Sequence, residues 1–354
     1  MNMQYSLPFR EVEEDAKIKN SNITIITKLK PPKPTEVYKT YWRFAAKRQS
    51  IFFRKRQEKF PPWTNDPILQ RYKFTNAFRA SDRVSQYLIQ DVIYKGDSSP
   101  EEVFFRILLF KTFNKIETWK LLVNELGQLT YAGYSYEKYE KVLSGALQKK
   151  QSIYSGAYIM ASGKSFFGHS RKHQNHLKLI EKMMRDEVPE KVLTSNSMKD
   201  LYELLHSYPT IGNFLAFQYT IDINYSCLTD FSEMDFVVPG PGARDGIKKC
   251  FSDFGDYNES DIIKLMAAKQ EEEFERLGIR FLNLWGRSLQ LIDCQNLFCE
   301  VDKYARVAHP TIEGISKRKK IKQKYSPNTR MLNYWYPPKW GINSYIGEQK
   351  DECL

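Results

Sequence analysis

Cysteine is scarce in this chain: Cys227, Cys250, Cys294, Cys299 and Cys353 are the only five in 354 residues. The number is odd and the spacing loose. That excludes a paired disulfide framework and points to reduced thiols. No apolar run reaches 18 residues, which excludes an ordinary transmembrane helix. The opening MNMQYSLPFREVEED carries acids and lacks the apolar core of a signal peptide, so secretion is not expected. Strand signals are sparse. Acid is short relative to base, with 42 Asp and Glu against 54 Lys and Arg, a net charge of +12. Such a surplus favours a polyanionic partner, nucleic acid or an anionic membrane.

Apolar residues make up 42% of the chain, and 22 Tyr, 22 Phe and 6 Trp supply bulk for a core and surfaces for base stacking. Residues 1–36 read as an arm, with a short strand in NITIITKLK and a stiff PPKPTE linker. Residues 37–310 read as one mostly α body and 311–354 as a basic and aromatic extension. In EVYKTYWRFAAKRQSIFF, apolar residues recur at helical spacing, while Arg43, Lys47, Arg48 and Arg54 crowd the remaining positions. That basic face is either solvated or phosphate-facing. SDRVSQYLIQDVIY, SPEEVFFRILLFKTF and NKIETWKLLVNELG predict helices, the second capped by Ser99 with Pro100 at its first position, the third ended by Gly127. Further helices are expected near 135–150, 170–187, 197–207, 213–223, 245–253, 259–277 and 288–306. Six Lys and Arg fall within residues 317–324.

The stretch LLHSYPTIGNFLAFQYTIDINYSCLTDFSEMDFVVPGPG reads as helix, tight hairpin, helix, then two acids and a Pro-Gly turn. In the hairpin Tyr208, Pro209, Thr210, Ile211, Gly212 and Asn213, Gly212 is expected to take positive φ, and the outward amides at the next helix start can meet a phosphate. Glu233 and Asp235 sit among hydrophobics, where a carboxylate is costly without a purpose. Three other signals are discounted. GAYIMASGKS fails as a phosphate loop because Tyr158 stands where a glycine is required, so no ATP or other cofactor is expected. His169, His173 and His176 have zinc-like spacing beside Arg171 and Lys172, and no metal is expected. Cys294 and Cys299 read as buried thiols.

The same stretch resembles the helix-hairpin-helix DNA glycosylase signature. Pro209 and Gly212 match its proline and second glycine, Thr210 replaces its first glycine, and Asp235 matches its catalytic aspartate with about three residues inserted. Phe214 stands where lyase members carry a lysine. YWRFAAKRQSIFF, YKFTNAFRASDRVSQYLI, FSEMDFVVPGPGARDGI, LWGRSLQLIDCQNLFCEVDKYARVAHP and YPPKWGIN resemble the glutamyl/putrescinyl-thymine pyrophosphorylase group, also labelled by the helical domain found with phage hydroxymethyluracil DNA kinases.

The resemblance implies a helix-hairpin-helix glycosylase-like fold acting on double-stranded DNA with modified bases, bound through the hairpin and basic residues that include Arg79 and Arg83. Reaching a base requires flipping it out. Phe113 and Asn114 are wedge candidates; Tyr154 and Tyr158 offer stacking; Gln295 and Asn296 offer hydrogen bonds to a base edge. Core packing is the alternative for the aromatics, capping or bridging for the amides. The leading expectation is a monofunctional glycosylase using Asp235, with Glu233 assisting, in defence against phages with modified genomes. A transferase that installs an amino acid or polyamine on a pyrophosphorylated thymine methyl, and a non-catalytic reader, are the alternatives. No membrane or obligate protein partner is expected, and the location is expected to be cytoplasmic, on the nucleoid through DNA.

Overall fold

The computed structural model describes residues 29–57, 60–156, 166–327 and 332–346. Among them the architecture is mostly helical. The first group of helices is α1 (Glu36–Gln57), α2 (Pro67–Arg71), α3 (Arg83–Tyr87), α4 (Pro100–Phe113), α5 (Ile116–Leu126), α6 (Tyr136–Gln148) and α7 (Lys172–Arg185). The remainder are α8 (Val188–Leu193), α9 (Met198–His206), α10 (Asn213–Asn224), α11 (Pro241–Cys250), α12 (Glu259–Ala268), α13 (Gln270–Arg276) and α14 (Leu291–Ala308). The two short strands β1 (Lys33–Pro34) and β2 (Phe251–Asp253) pair antiparallel, Pro34 opposite Phe251. The expected NITIITKLK strand falls mostly outside the described residues.

Local chemistry explains several helix starts. Asp66, Ser135 and Ser197 each accept an amide hydrogen bond from the first turn of α2, α6 and α9. Asn258 with Asp261 closes a capping box on α12. Ser99 occupies the cap position of α4 without making the expected side-chain bond, and Pro100 sets the first turn. The helix expected at 259–277 breaks at Lys269, and the one expected at 245–253 starts earlier, at Pro241, then gives way to β2.

Two groups of helices build the core. In one, α4 packs on α5, α7, α8 and α10; in the other, α14 packs on α1, α2, α11 and α12. Every residue of α4 from Val103 to Phe113, and of α10 from Leu215 to Asn224, is buried, so neither has a polar face. A turn at Arg79–Ser81 touches α14 and sends the Arg79 side chain to α10.

The closest helix pair is α11 against α14. Gly242 and Gly246 lie one turn apart on the face of α11 that meets Cys299 and Phe298. A Cβ on Gly246 would fall 2.0 Å from the Phe298 carbonyl oxygen, and one on Gly242 would fall 3.1 Å from Cys299 Sγ. The Pro-Gly-Pro-Gly run is therefore a helix start and a packing surface, rather than only a rigid turn. Replacing Gly246 with alanine is expected to push the two helices apart and lower the unfolding free energy by about 3 kcal/mol or more, read by urea denaturation.

Candidate functional site

The hairpin between α9 and α10 is held from below. Tyr208 and Ile211 are buried, and the Tyr208 hydroxyl donates to Asp186 Oδ2 at 3.1 Å, which also receives Lys182 Nζ at 2.8 Å. Gly212 and Asn213 remain exposed at the start of α10. The turn differs from expectation at one position. Gly212 has φ −84° and open space around a would-be Cβ, whereas Thr210 has φ +67°. The strained residue is thus the threonine standing where the resembled signature has its first glycine.

After α10 the chain turns on Asn224. Its Oδ1 accepts from the Phe231 amide and the Thr229 hydroxyl, both residues close behind the helix. The two acids that follow have different surroundings. Glu233 is buried, and its Oε1 accepts from Arg287 Nη2 at 2.6 Å. Arg287 in turn lies 3.8 Å from the centre of the Trp340 ring. Burial raises the Glu233 carboxyl above the usual glutamate range, against the pull of Arg287, Lys339 and Arg79. Asp235, two residues on, is exposed, with its amide donating to Ser232 O at 3.4 Å. One acid is committed to an internal ion pair and the other faces solvent.

Beneath them lies a buried charged network that sequence reading did not assemble. Asp222 on α10 receives Arg79 Nη2 at 2.7 Å and Lys111 Nζ, from α4, at 2.6 Å. Arg79 also donates to Gln218 Oε1, and its ring-facing side lies 5.4 Å from the centre of Tyr225. Its backbone amide donates to Asp293 Oδ1 at 2.7 Å, while Asp293 Oδ2 accepts from the Gln290 amide and caps α14. Burial lowers the Lys111 pKa to about 8, opposed by Asp222, and raises that of Asp293 to about 7, opposed by the two amides it accepts from. The available signal was Lys111 and Asp222 standing inside mostly apolar helices.

Several expected DNA contacts are instead structural. Arg79 is spent on Asp222. Arg48 is buried and donates to the carbonyls of Thr75 and Phe74 and to Asn76. Lys47 is exposed but pairs with Asp66 at 2.8 Å. Arg43 and Arg54 are exposed, as is Arg83, which lies 3.7 Å from Glu117. Arg43 lines an open cleft of ≈ 870 Å³ between residues 31–35, α1 and α12–α13 that neither acid enters.

The wedge candidates divide similarly. Phe113 is fully packed against Tyr154, 5.2 Å between ring centres, and cannot reach DNA without leaving the core. Asn114 takes φ 48° as the cap of α4, and with Arg83 and Tyr154 lines a recess of ≈ 260 Å³. The Tyr154 hydroxyl bonds His176 Nδ1 at 2.9 Å. Tyr158 lies outside the described residues, as do Gly163, Lys164 and Ser165. Gln295 is fully buried, donating to Asn296 Oδ1, and its own Oε1 has no partner among the described residues. His173 bonds Ser144, and the described cysteines are all unpaired thiols.

Residues 35–314 match the family described as 5-hmdU DNA kinase, helical domain. The chain belongs to that family. A curated relative, the 5-hmdU DNA kinase of Bacillus phage SP10, is 28% identical over 321 residues, covering 84% of this chain and 49% of the relative. The chain thus spans about half the length of that relative. No solved structure gives a significant match. Family membership overturns the expectation of base excision. A kinase adds to its substrate, whereas a glycosylase cuts the base from its sugar, and the antiphage role that rested on excision falls with it. No described helix is long and apolar enough to cross a membrane.

Two outcomes follow from this geometry. Thr210→Gly is expected to raise the unfolding free energy by up to about 1 kcal/mol, while Gly212→Ala stays within about 0.5 kcal/mol of wild type, both read by denaturant unfolding. Asp293 holds its proton more tightly folded, at about 7, than its ordinary 3.8. Its contribution to stability is therefore present below the unfolded value and lost as pH rises toward the folded one. Unfolding curves across that window should show a shallower decline for Asp293→Asn than for wild type.

Proposed function

We propose that the chain acts on DNA containing 5-hydroxymethyluracil, as the helical part of a 5-hmdU DNA kinase, in a step of pyrimidine hypermodification. The observation that carries this reading is the family match across residues 35–314. The exposed hairpin amides, the exposed carboxylate just beyond them and the net charge of +12 support it. The arrangement of hairpin and acid also suits a helix-hairpin-helix glycosylase-like scaffold turned to base addition, with residues 1–36 as an arm and 311–354 as an extension.

In this reading the amides of Gly212 and Asn213 hold a backbone phosphate, and the modified base leaves the stack. Its hydroxymethyl oxygen attacks the terminal phosphorus of a nucleoside triphosphate, a co-substrate that the sequence had not led us to expect. The O–H proton passes to Asp235, a new P–O bond forms, and the bond to the departing nucleoside diphosphate breaks. Glu233 acts through Arg287, positioning the turn that carries Asp235. A second reading, transfer of an amine to an already pyrophosphorylated base, is favoured by the match being to a helical domain in a chain that spans about half its relative.

The test uses duplexes that differ only in one 5-hydroxymethyluracil or thymine, with terminally labelled ATP. Label should enter the modified duplex alone. Asp235→Asn should slow incorporation by about 10²- to 10⁴-fold while duplex affinity is kept. No label and no preference for the modified duplex would sink the kinase reading. Release of pyrophosphate with capture of an added amine, on a pyrophosphorylated base, would establish the second.

A further inference from the structure

The basic run after α14 is a seated ribbon. Ser316 donates from its amide and hydroxyl to Asp245, both at 2.6 Å, and the chain comes so close that a Cβ on Gly314 would lie 2.8 Å from Asp245 Oδ1. Arg306 donates to the Lys320 carbonyl at 3.1 Å. Further along, Lys324 forms an antiparallel bridge with Tyr72, flanked by backbone bonds from Lys73 to Gln323 and from Tyr325 to Arg71. Ile321 and Tyr325 pack on the core, while Lys320, Lys322 and Lys324 are exposed.

The acids beneath this ribbon are already satisfied. Asp245 takes Arg318 at 2.7 Å, Asp302 takes Lys249 and Arg306, and Glu313 takes Lys319 at 3.0 Å. No carboxylate among the described residues lies within ion-pair distance of Lys317, Lys320, Lys322 or Lys324. The neighbouring Lys73 is exposed and equally unpaired. In an extended segment, alternate residues share a face at about 6.6 Å spacing. That is about one phosphate step along one strand of a duplex, because each step rises ~3.4 Å of axis and also winds around it, leaving successive phosphates ~7 Å apart. Unpaired like charges held on a fixed backbone repel one another, and a polyanion laid across them relieves that repulsion.

We infer that the ribbon 317–324 is a docking surface for the phosphate backbone of duplex DNA, a sequence-independent contact separate from the hairpin. This inference rests on the reading that DNA is the substrate. It assigns the backbone contact to the C-terminal ribbon, a role expected earlier of α1.

The experiment compares the full chain with a triple variant, Lys320→Gln, Lys322→Gln and Lys324→Gln, and with a charge-matched control on α6 and its C-terminal cap, Lys138→Gln, Lys141→Gln and Lys149→Gln. Duplex affinity is measured from 50 to 200 mM salt on both thymine and 5-hydroxymethyluracil duplexes, with thermal unfolding to verify folding. The ribbon variant should show a log–log salt slope shallower by about 2.7, near 0.9 per lost phosphate contact, equally on both duplexes. The control should keep the wild-type slope. An unchanged slope in a folded ribbon variant, or an equal loss in the control, would overturn the inference. So would wild-type binding to anionic vesicles with none to duplex. A ribbon effect without any preference for the modified duplex would keep the docking surface and remove the proposed substrate.

Discussion

The pairing of Asp222 with Arg79 and Lys111 is the constraint on which the two helix groups depend. A carboxylate enclosed between fully buried helices costs several kcal/mol unless it meets positive charge. Here the charges come from α4 and from the turn at Arg79–Ser81, so the ion pairs fix three segments at once. The same Arg79 donates its amide to Asp293, which caps α14. Through that one residue the group built on α4 and α10 is registered against the group built on α14. Glu233 repeats the device nearer the surface, tying the acid turn to Arg287 and Trp340.

Among the described residues a small part of the chain's positive charge, five of its 54 Lys and Arg, is internal. Arg48, Arg79, Arg106, Lys111 and Lys249 are all buried and satisfy carbonyls or carboxylates. The net charge of the whole chain reports that base exceeds acid, but it does not say where the excess lies. The ribbon after α14 is one place where surface charge is left over, because the acids beside it already have partners. The exposed part of α1 is less basic than its sequence suggests, since Arg48 is inside and Lys47 is held by Asp66.

The hairpin and the acids beyond it specify a scaffold more than a reaction. A short turn with outward amides followed by a carboxylate can hold a phosphate and face a flipped base, whether the next step removes that base or adds to it. Spacing alone favoured removal. The family to which residues 35–314 belong favours addition. The geometry is neutral between them, because an exposed Asp235 can equally stabilise a developing cation or accept a hydroxyl proton.

Most of the longer helices were legible in the sequence, because caps, proline and apolar periodicity act over a few residues, whereas short α2 and α8 and the break at Lys269 were not. The starts expected near 135 and 197, and the proline at 100, are kept by the structure. The stretch from Leu204 to Gly242 was likewise legible as hairpin, acids and a following turn. Tertiary structure decided what each polar residue does. Arg79 looked like a DNA contact because its partner, Asp222, lies 143 positions away in a helix that reads as apolar. Gly242 looked like a turn residue, and Gly246 like an ordinary helix position, because Cys299 and Phe298 approach only when α14 packs against them. Which of two neighbouring acids is buried depended on Arg287, another distant residue. Local preferences set where the chain bends and coils; burial, which is a property of the packed whole, assigned the charges.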